Sequence, residues 1–246
     1  MGRRVCRLCN CLRPRSAEAQ SGARMSGWLT FAGVFALFFA THSIPVRPPV
    51  KKRLVRHLGA KGFTTAYSAL SLCILALLIW AAGQAPFVLL WAEAAWHRPA
   101  ILVGMLAACL ILAASIGQPN PFSFGGRDND AFDPTDCGII GYMRHPLLSV
   151  LALWALLHVL ANGDLAHVLL FGTLGLFAYV GPRIIDARNR RDMGAEAWEA
   201  LVGETRRQRR IRVPSPAMML RLGAGVILYL VLVFLHPVVI GVPVLS

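Results

Sequence analysis

Of seven histidines in a chain of 246 residues, two stand where a metal could use them. His42 closes an apolar run in Ala40-Thr-His-Ser-Ile-Pro45, and His145 opens another in Arg144-His145-Pro146. Two imidazoles at one depth on different helices are the donor set that holds a haem iron inside a bundle. Arg47 or Arg144 at headgroup level would then meet the propionates. The same placement also suits two interfacial rings bonded to carbonyls and headgroups, and spacing leaves both readings open.

His158 poses a separate question. It lies 13 residues beyond His145, about 20 Å along a helix and roughly 140° around it, so one metal cannot bind both. A titratable ring inside an apolar run marks a buried hydrogen bond or a functional path. Asn162, one turn on, is its natural partner, and Asp164 completes Asn162-Gly163-Asp164, which reads as a tight turn. The loop Pro119–Met143 holds Gly125-Gly126, Arg127 and the acids Asp128, Asp130, Asp133 and Asp136. It lacks the strand and helix of a nucleotide fingerprint and the spacing of an EF-hand. Pairing of Arg127 with Asp133 would fold it as a lid over a cavity.

These residues are carried by a chain that is 56% hydrophobic and 15% charged, with mean hydropathy +0.57. Such a composition belongs to an integral membrane protein, because a soluble domain carries about a quarter charged residues. Apolar segments run over Gly27–Ile44, Phe63–Ala82, Ala100–Ile116, Leu147–Ala161, Ala166–Gly181 and Leu222–Ile240. In lipid each must be a helix, since the backbone finds no water to bond. The expected fold is all-α, a polytopic transmembrane bundle of about six spans. After span five, Ala195, Trp198, Leu201 and Val202 recur at helical spacing, predicting an amphipathic cytoplasmic helix with Trp198 anchored at the interface.

The net charge is +13, yet its basic residues lie between apolar runs, which favours anionic lipid and excludes nucleic acid as partner. Pro45–Gly62 carries Arg47, Lys51, Lys52, Arg53, Arg56 and Lys61 with no acid, and Pro182–Arg221 carries ten Arg against five acids. With helices alternating in direction, both loops face the cytoplasm, so Met25 and the C-terminus lie outside. Residues 1–24 hold six Arg and Cys6, Cys9 and Cys11 without apolar periodicity. They read as a disordered basic leader, or as sequence upstream of a true start at Met25; Cys6-x-x-Cys9 has no second ligand pair for zinc.

From Met25 to about Val202 the chain resembles the NnrU-type membrane proteins, the group that includes zeta-carotene isomerase. The resemblance rests on Arg144-His145-Pro146-Leu-Leu, Leu153-Trp-Ala-Leu-Leu-His158, Asn162-Gly-Asp-Leu165, His42-Ser43, Arg53-Leu54 and Gly126-Arg127…Phe132-Asp-Pro134. It implies a polytopic bacterial inner-membrane domain over 25–202, followed over 203–246 by a basic linker and last span. It also implies an association with denitrification through nitrite and nitric oxide metabolism. In the isomerase branch a b-type haem held by histidines promotes cis–trans isomerisation of a polyene, and His42 and His145 fall where its ligands are expected, on helices one and four. The isomerase's cysteine before Arg-His-Pro is Tyr142 here, so a redox ligand switch does not carry over. Gly138-Ile-Ile-Gly-Tyr-Met-Arg-His-Pro is similar as well to the S-adenosylmethionine-dependent isoprenylcysteine carboxyl methyltransferases. There an acid follows a helical hairpin, a part Glu196 or Glu199 could take. A third reading is a non-catalytic accessory subunit of respiratory nitrogen-oxide enzymes.

Overall fold

The computed structural model describes residues 17–208 and 215–244. Cys6, Cys9, Cys11 and the first part of the basic leader lie outside them, as does most of the stretch between Gln208 and Ser215. The described chain is all-α, in two compact units, Met1–Val88 and Leu89–Ser246.

The first unit is a hairpin of α1 (Ala17–Ser43) and α2 (Pro48–Gln84). The Gly27 Cα lies against the Gln84 carbonyl and Pro86, while His42 meets Tyr67, so the helices run antiparallel. Helix α2 starts well before the span expected at Phe63. Pro48 and Pro49 explain the start, because a proline in the first turn loses no hydrogen bond and arrives with helical φ. At 37 residues the helix is about 55 Å long, well beyond a hydrocarbon core of ~30 Å. Gly59, at φ 71° and ψ 166°, breaks it into a basic first segment and an apolar second one.

The second unit holds α3 (His97–Ser115), α4 (Pro146–Asn162), α5 (Leu165–Met193), α6 (Ala195–Arg207) and α7 (Pro216–Val239). Helix α3 packs against both α4 and α7, and α4 against α5. Glycines make the close approaches: Gly104 faces the Leu157 methyls, and Gly225 lies against the Cys109 carbonyl and Ala113. In lipid, where apolar side chains gain little by leaving their surroundings, such backbone contact is what holds helices together. Among the described residues, five helices are long and apolar enough to cross a membrane (residues 25–43 of α1, then α2, α3, α5 and α7), and α4 is a shorter apolar helix. Each of these six elements overlaps one of the six apolar segments of the sequence.

The α4–α5 turn is built on Gly163, at φ 57°. Its carbonyl accepts from Leu90 N at 2.8 Å and Trp91 N at 3.2 Å. Asp164 caps α5, accepting from His167 N at 3.3 Å and from the His167 ring Nδ1 at 2.7 Å. A Cβ at position 163 would strike the Trp91 carbonyl. Gly163→Ala is therefore expected to cost about 2–3 kcal/mol, combining left-handed strain with this clash. A thermal unfolding midpoint unchanged from wild type would contradict it.

Two elements depart from the sequence reading. Helix α5 continues through Pro182 to Met193, so Arg183–Asp192 is helix and not loop. The proline forfeits one backbone bond, but side chains on the helical continuation are held by the 119–145 loop, as described below. Helix α6 is amphipathic as expected, yet its Trp198 is 6% exposed and packs edge-on to Phe122 at 5.5 Å between centroids. With Ile140 and Cys137 it forms a small core against which Phe132, Leu201 and Val202 are packed. The apolar face of α6 thus meets protein, with Phe122 of the loop edge-on to Trp198.

Candidate functional site

The loop between α3 and α4 folds as three 3-10 turns, at Asn129–Ala131, Pro134–Asp136 and Gly138–Gly141. Arg127 meets its neighbour Asp128 at 3.5 Å rather than the expected Asp133, which accepts from Thr135 N at 2.8 Å. Asn120 organises the loop. Its N–H donates to Asn129 Oδ1 at 2.9 Å, its Oδ1 accepts from Phe122 N at 3.0 Å, and its Nδ2 donates to the Arg144 carbonyl at 3.0 Å. From α5, Asn189 Nδ2 donates to the Phe122 carbonyl at 2.9 Å.

One turn before Asn189 on α5, Asp186 binds both halves of Arg144-His145. Arg144 donates to Asp186 Oδ2 at 2.6 Å, and His145 Nε2 donates to Asp186 Oδ1 at 2.8 Å. His145 is the N-cap residue of α4, with Pro146 in the first turn. It is 6% exposed, and its Nδ1 has no protein partner. Arg144 Nε and Ser123 Oγ are likewise buried without one. In the neutral ring, a carboxylate accepting from Nε2–H selects the tautomer in which Nδ1 carries the lone pair. That is the support found behind metal-bound histidines. It also suits a general base, whose proton acceptor here is Nδ1.

His42 belongs to the first unit. Its Nδ1 donates to the Phe38 carbonyl at 3.0 Å, its ring stacks on Phe38 with centroids 4.1 Å apart, and Tyr67 donates to its carbonyl at 3.2 Å. With Nδ1–H held, Nε2 is the nitrogen presented. His158 Nδ1 donates to the Trp154 carbonyl at 2.8 Å, so its bond stays within α4. Asn162 reaches the His158 carbonyl at 2.7 Å and not the ring. Across to α5, His158 makes a ring contact with Phe171 at 4.7 Å between centroids. Asp164, its neighbour in the sequence motif, is spent on capping α5 and on His167. Among the described residues no group of three or more His, Cys, Asp or Glu is placed to hold a metal ion unaided.

With this geometry in view, comparison with known families is decisive. The family described as NnrU protein matches residues 30–244. The chain belongs to the NnrU family. As a member of that family it is a multi-pass membrane protein by its helices. Searches of curated proteins and of solved structures returned no match.

Asp186 and Asn189 are the residues beside Arg144-His145 and its loop that sequence reasoning missed. They lie three apart, and a helix continued past Pro182 puts both on one face. That spacing was the available signal. Glu199, a candidate acid in the methyltransferase reading, pairs instead with Arg190 at 2.6 Å on an exposed face, and Glu196 is exposed too.

Proposed function

We propose that this NnrU-family protein binds a b-type haem at the bacterial inner membrane, with His145 as the ligand that its second unit presents and His42 as the ligand that its first unit presents. The observation that carries the reading is the buried, unpartnered Nδ1 of His145, backed by Asp186 on Nε2. The donor set fits the group. Both imidazoles have one N–H committed and one nitrogen open, as a coordinating neutral imidazole requires. They fit unequally: Nε2 of His42 is remote from its own backbone, whereas Nδ1 of His145 is bonded to Cγ, the ring atom that carries Cβ, and so lies nearer the main chain. His42 is the less hindered ligand, and His145 the one with a carboxylate behind it.

When bound, such a haem supplies the iron chemistry that zeta-carotene isomerase-like proteins apply to a polyene, or a site for nitric oxide in denitrification. The chain's own residues prepare the site. Asp186 accepts a hydrogen bond from Nε2–H and leaves Nδ1 as an acceptor. Arg144 offsets the Asp186 charge, and Asn120 and Asn189 fix the loop that carries Arg144. An apolar small molecule would reach this site from the bilayer, and the excess of Arg and Lys in the basic loops supports a cytoplasmic position for it. The test is haem titration of detergent-purified protein: saturable binding near one per chain is expected, and a protein that takes up none overturns the proposal.

One observation favours a second reading, an S-adenosylmethionine-dependent membrane methyltransferase. After the α4–α5 hairpin, an acid does meet Arg-His-Pro, and it is Asp186. Calorimetric titration with S-adenosylmethionine separates the two, since the haem reading expects no heat. A protein that binds neither compound leaves the accessory role beside respiratory nitrogen-oxide enzymes.

A further inference from the structure

Between Met25 and Val88 the chain contains no Asp and no Glu, but it contains Arg47, Lys51, Lys52, Arg53, Arg56 and Lys61. All six are exposed. Five of them lie at the N-terminal cap or in the first segment of α2, ahead of the Gly59 break. The first turn holds no acid, so Lys51 and Lys52 stand at the positive end of the helix dipole, an unfavourable position for a cation. Between Met25 and Val88 no carboxylate offsets them, and Lys51 Nζ lies over the Phe63 ring at 5.9 Å from its centroid. The other face of the segment is apolar: Val50, Leu54 and Val55 are half-buried and Leu58 is exposed. A short basic helix with an apolar stripe, leading directly into a span, has the character of a membrane-surface element.

We propose that the segment Pro48–Leu58 is a binding arm for anionic phospholipid headgroups. The Gly59 backbone, at φ 71°, is the joint that lets it depart from the axis of the following span. At that break the next 25 residues, Ala60 to Gln84, measure about 37 Å, enough to cross the bilayer without the arm. Phosphate charge supplies the counter-charge that the chain lacks, for the dipole end as well as for the side chains. The occupant is identified by charge and by position. It is anionic, and it lies at headgroup level where α2 enters the hydrocarbon.

The experiment uses the full-length protein in neutral detergent, titrated with short-chain phosphatidylglycerol, with phosphatidylcholine as control. A variant carrying Lys51→Gln, Lys52→Gln, Arg53→Gln and Arg56→Gln tests the arm. These side chains are exposed, so its thermal midpoint in phosphatidylcholine should match wild type, which confirms that it folds. Wild type is expected to prefer phosphatidylglycerol, and the variant to lose tenfold or more of that affinity. Wild type without a preference, or a folded variant that keeps it, overturns the proposal. Haem content should be the same in both proteins, which keeps this result separate from the haem reading.

Discussion

Asp186→Asn is expected to destabilise the second unit by on the order of 3 kcal/mol and to weaken haem binding 10- to 100-fold. The side chains involved are mostly buried, at 22% exposure for Arg144 and 25% for Asp186. Asparagine keeps the shape and one acceptor, so it can still accept a hydrogen bond from His145 Nε2–H. It cannot also neutralise Arg144, and its amide N–H₂ would be turned against a guanidinium. Removing one partner of a buried charged pair leaves the other charge uncompensated, which is the costly direction. Loss of the carboxylate behind the imidazole also lowers the basicity of the presented nitrogen, from which the loss of affinity follows. Thermal unfolding and haem titration of the variant measure the two effects separately. Wild-type values in both would remove Asp186 from the account.

Trp198→Ala is the second large effect. Deleting a buried Trp costs about 3–5 kcal/mol when the surroundings cannot close the gap. Phe122 is fully buried, and Ile140 is 1% exposed, so neither can turn outward to water without loss. The cost falls on the α6–loop contact, since α6 contributes Trp198 and Thr205 as its only buried residues. The expected readout is local: proteolysis and hydrogen exchange should rise in α6 and in the 119–145 loop while the spans stay protected. Haem affinity should fall as well, because Phe122 and Asn189 share a hydrogen bond that steadies the loop beneath Arg144. An α6 that remains protected in the variant would show that contacts other than Trp198 on Phe122 hold this helix.

The two variants bear on different lessons about the sequence. The spans were legible because lipid admits one solution for an apolar run of this length, a helix with its own backbone bonds closed. The Asn162-Gly163-Asp164 turn was legible for a similar reason, since a left-handed residue and a cap leave few other residue types. Asp186 was not legible because Pro182 reads as a helix end. The cost of one missing backbone bond is local, whereas the contacts of Asp186 and Asn189 that offset it come from residues 42 and 67 positions away in the chain. Trp198 shows a further limit. An amphipathic pattern states that one face is apolar and does not state whether lipid or protein covers it. Helix α2 began early for a reason visible in Pro48-Pro49, but its basic run resembled a loop.

The most direct measurement of the central claim is the reduced-minus-oxidised optical spectrum of the haem-loaded protein, recorded for wild type, His42→Ala and His145→Ala. The account predicts a Soret band and split α/β bands in wild type. Each single variant should change the ligand field, and the double variant should lose the bands. A wild-type protein that stays colourless after loading, or a spectrum that neither substitution alters, would contradict it.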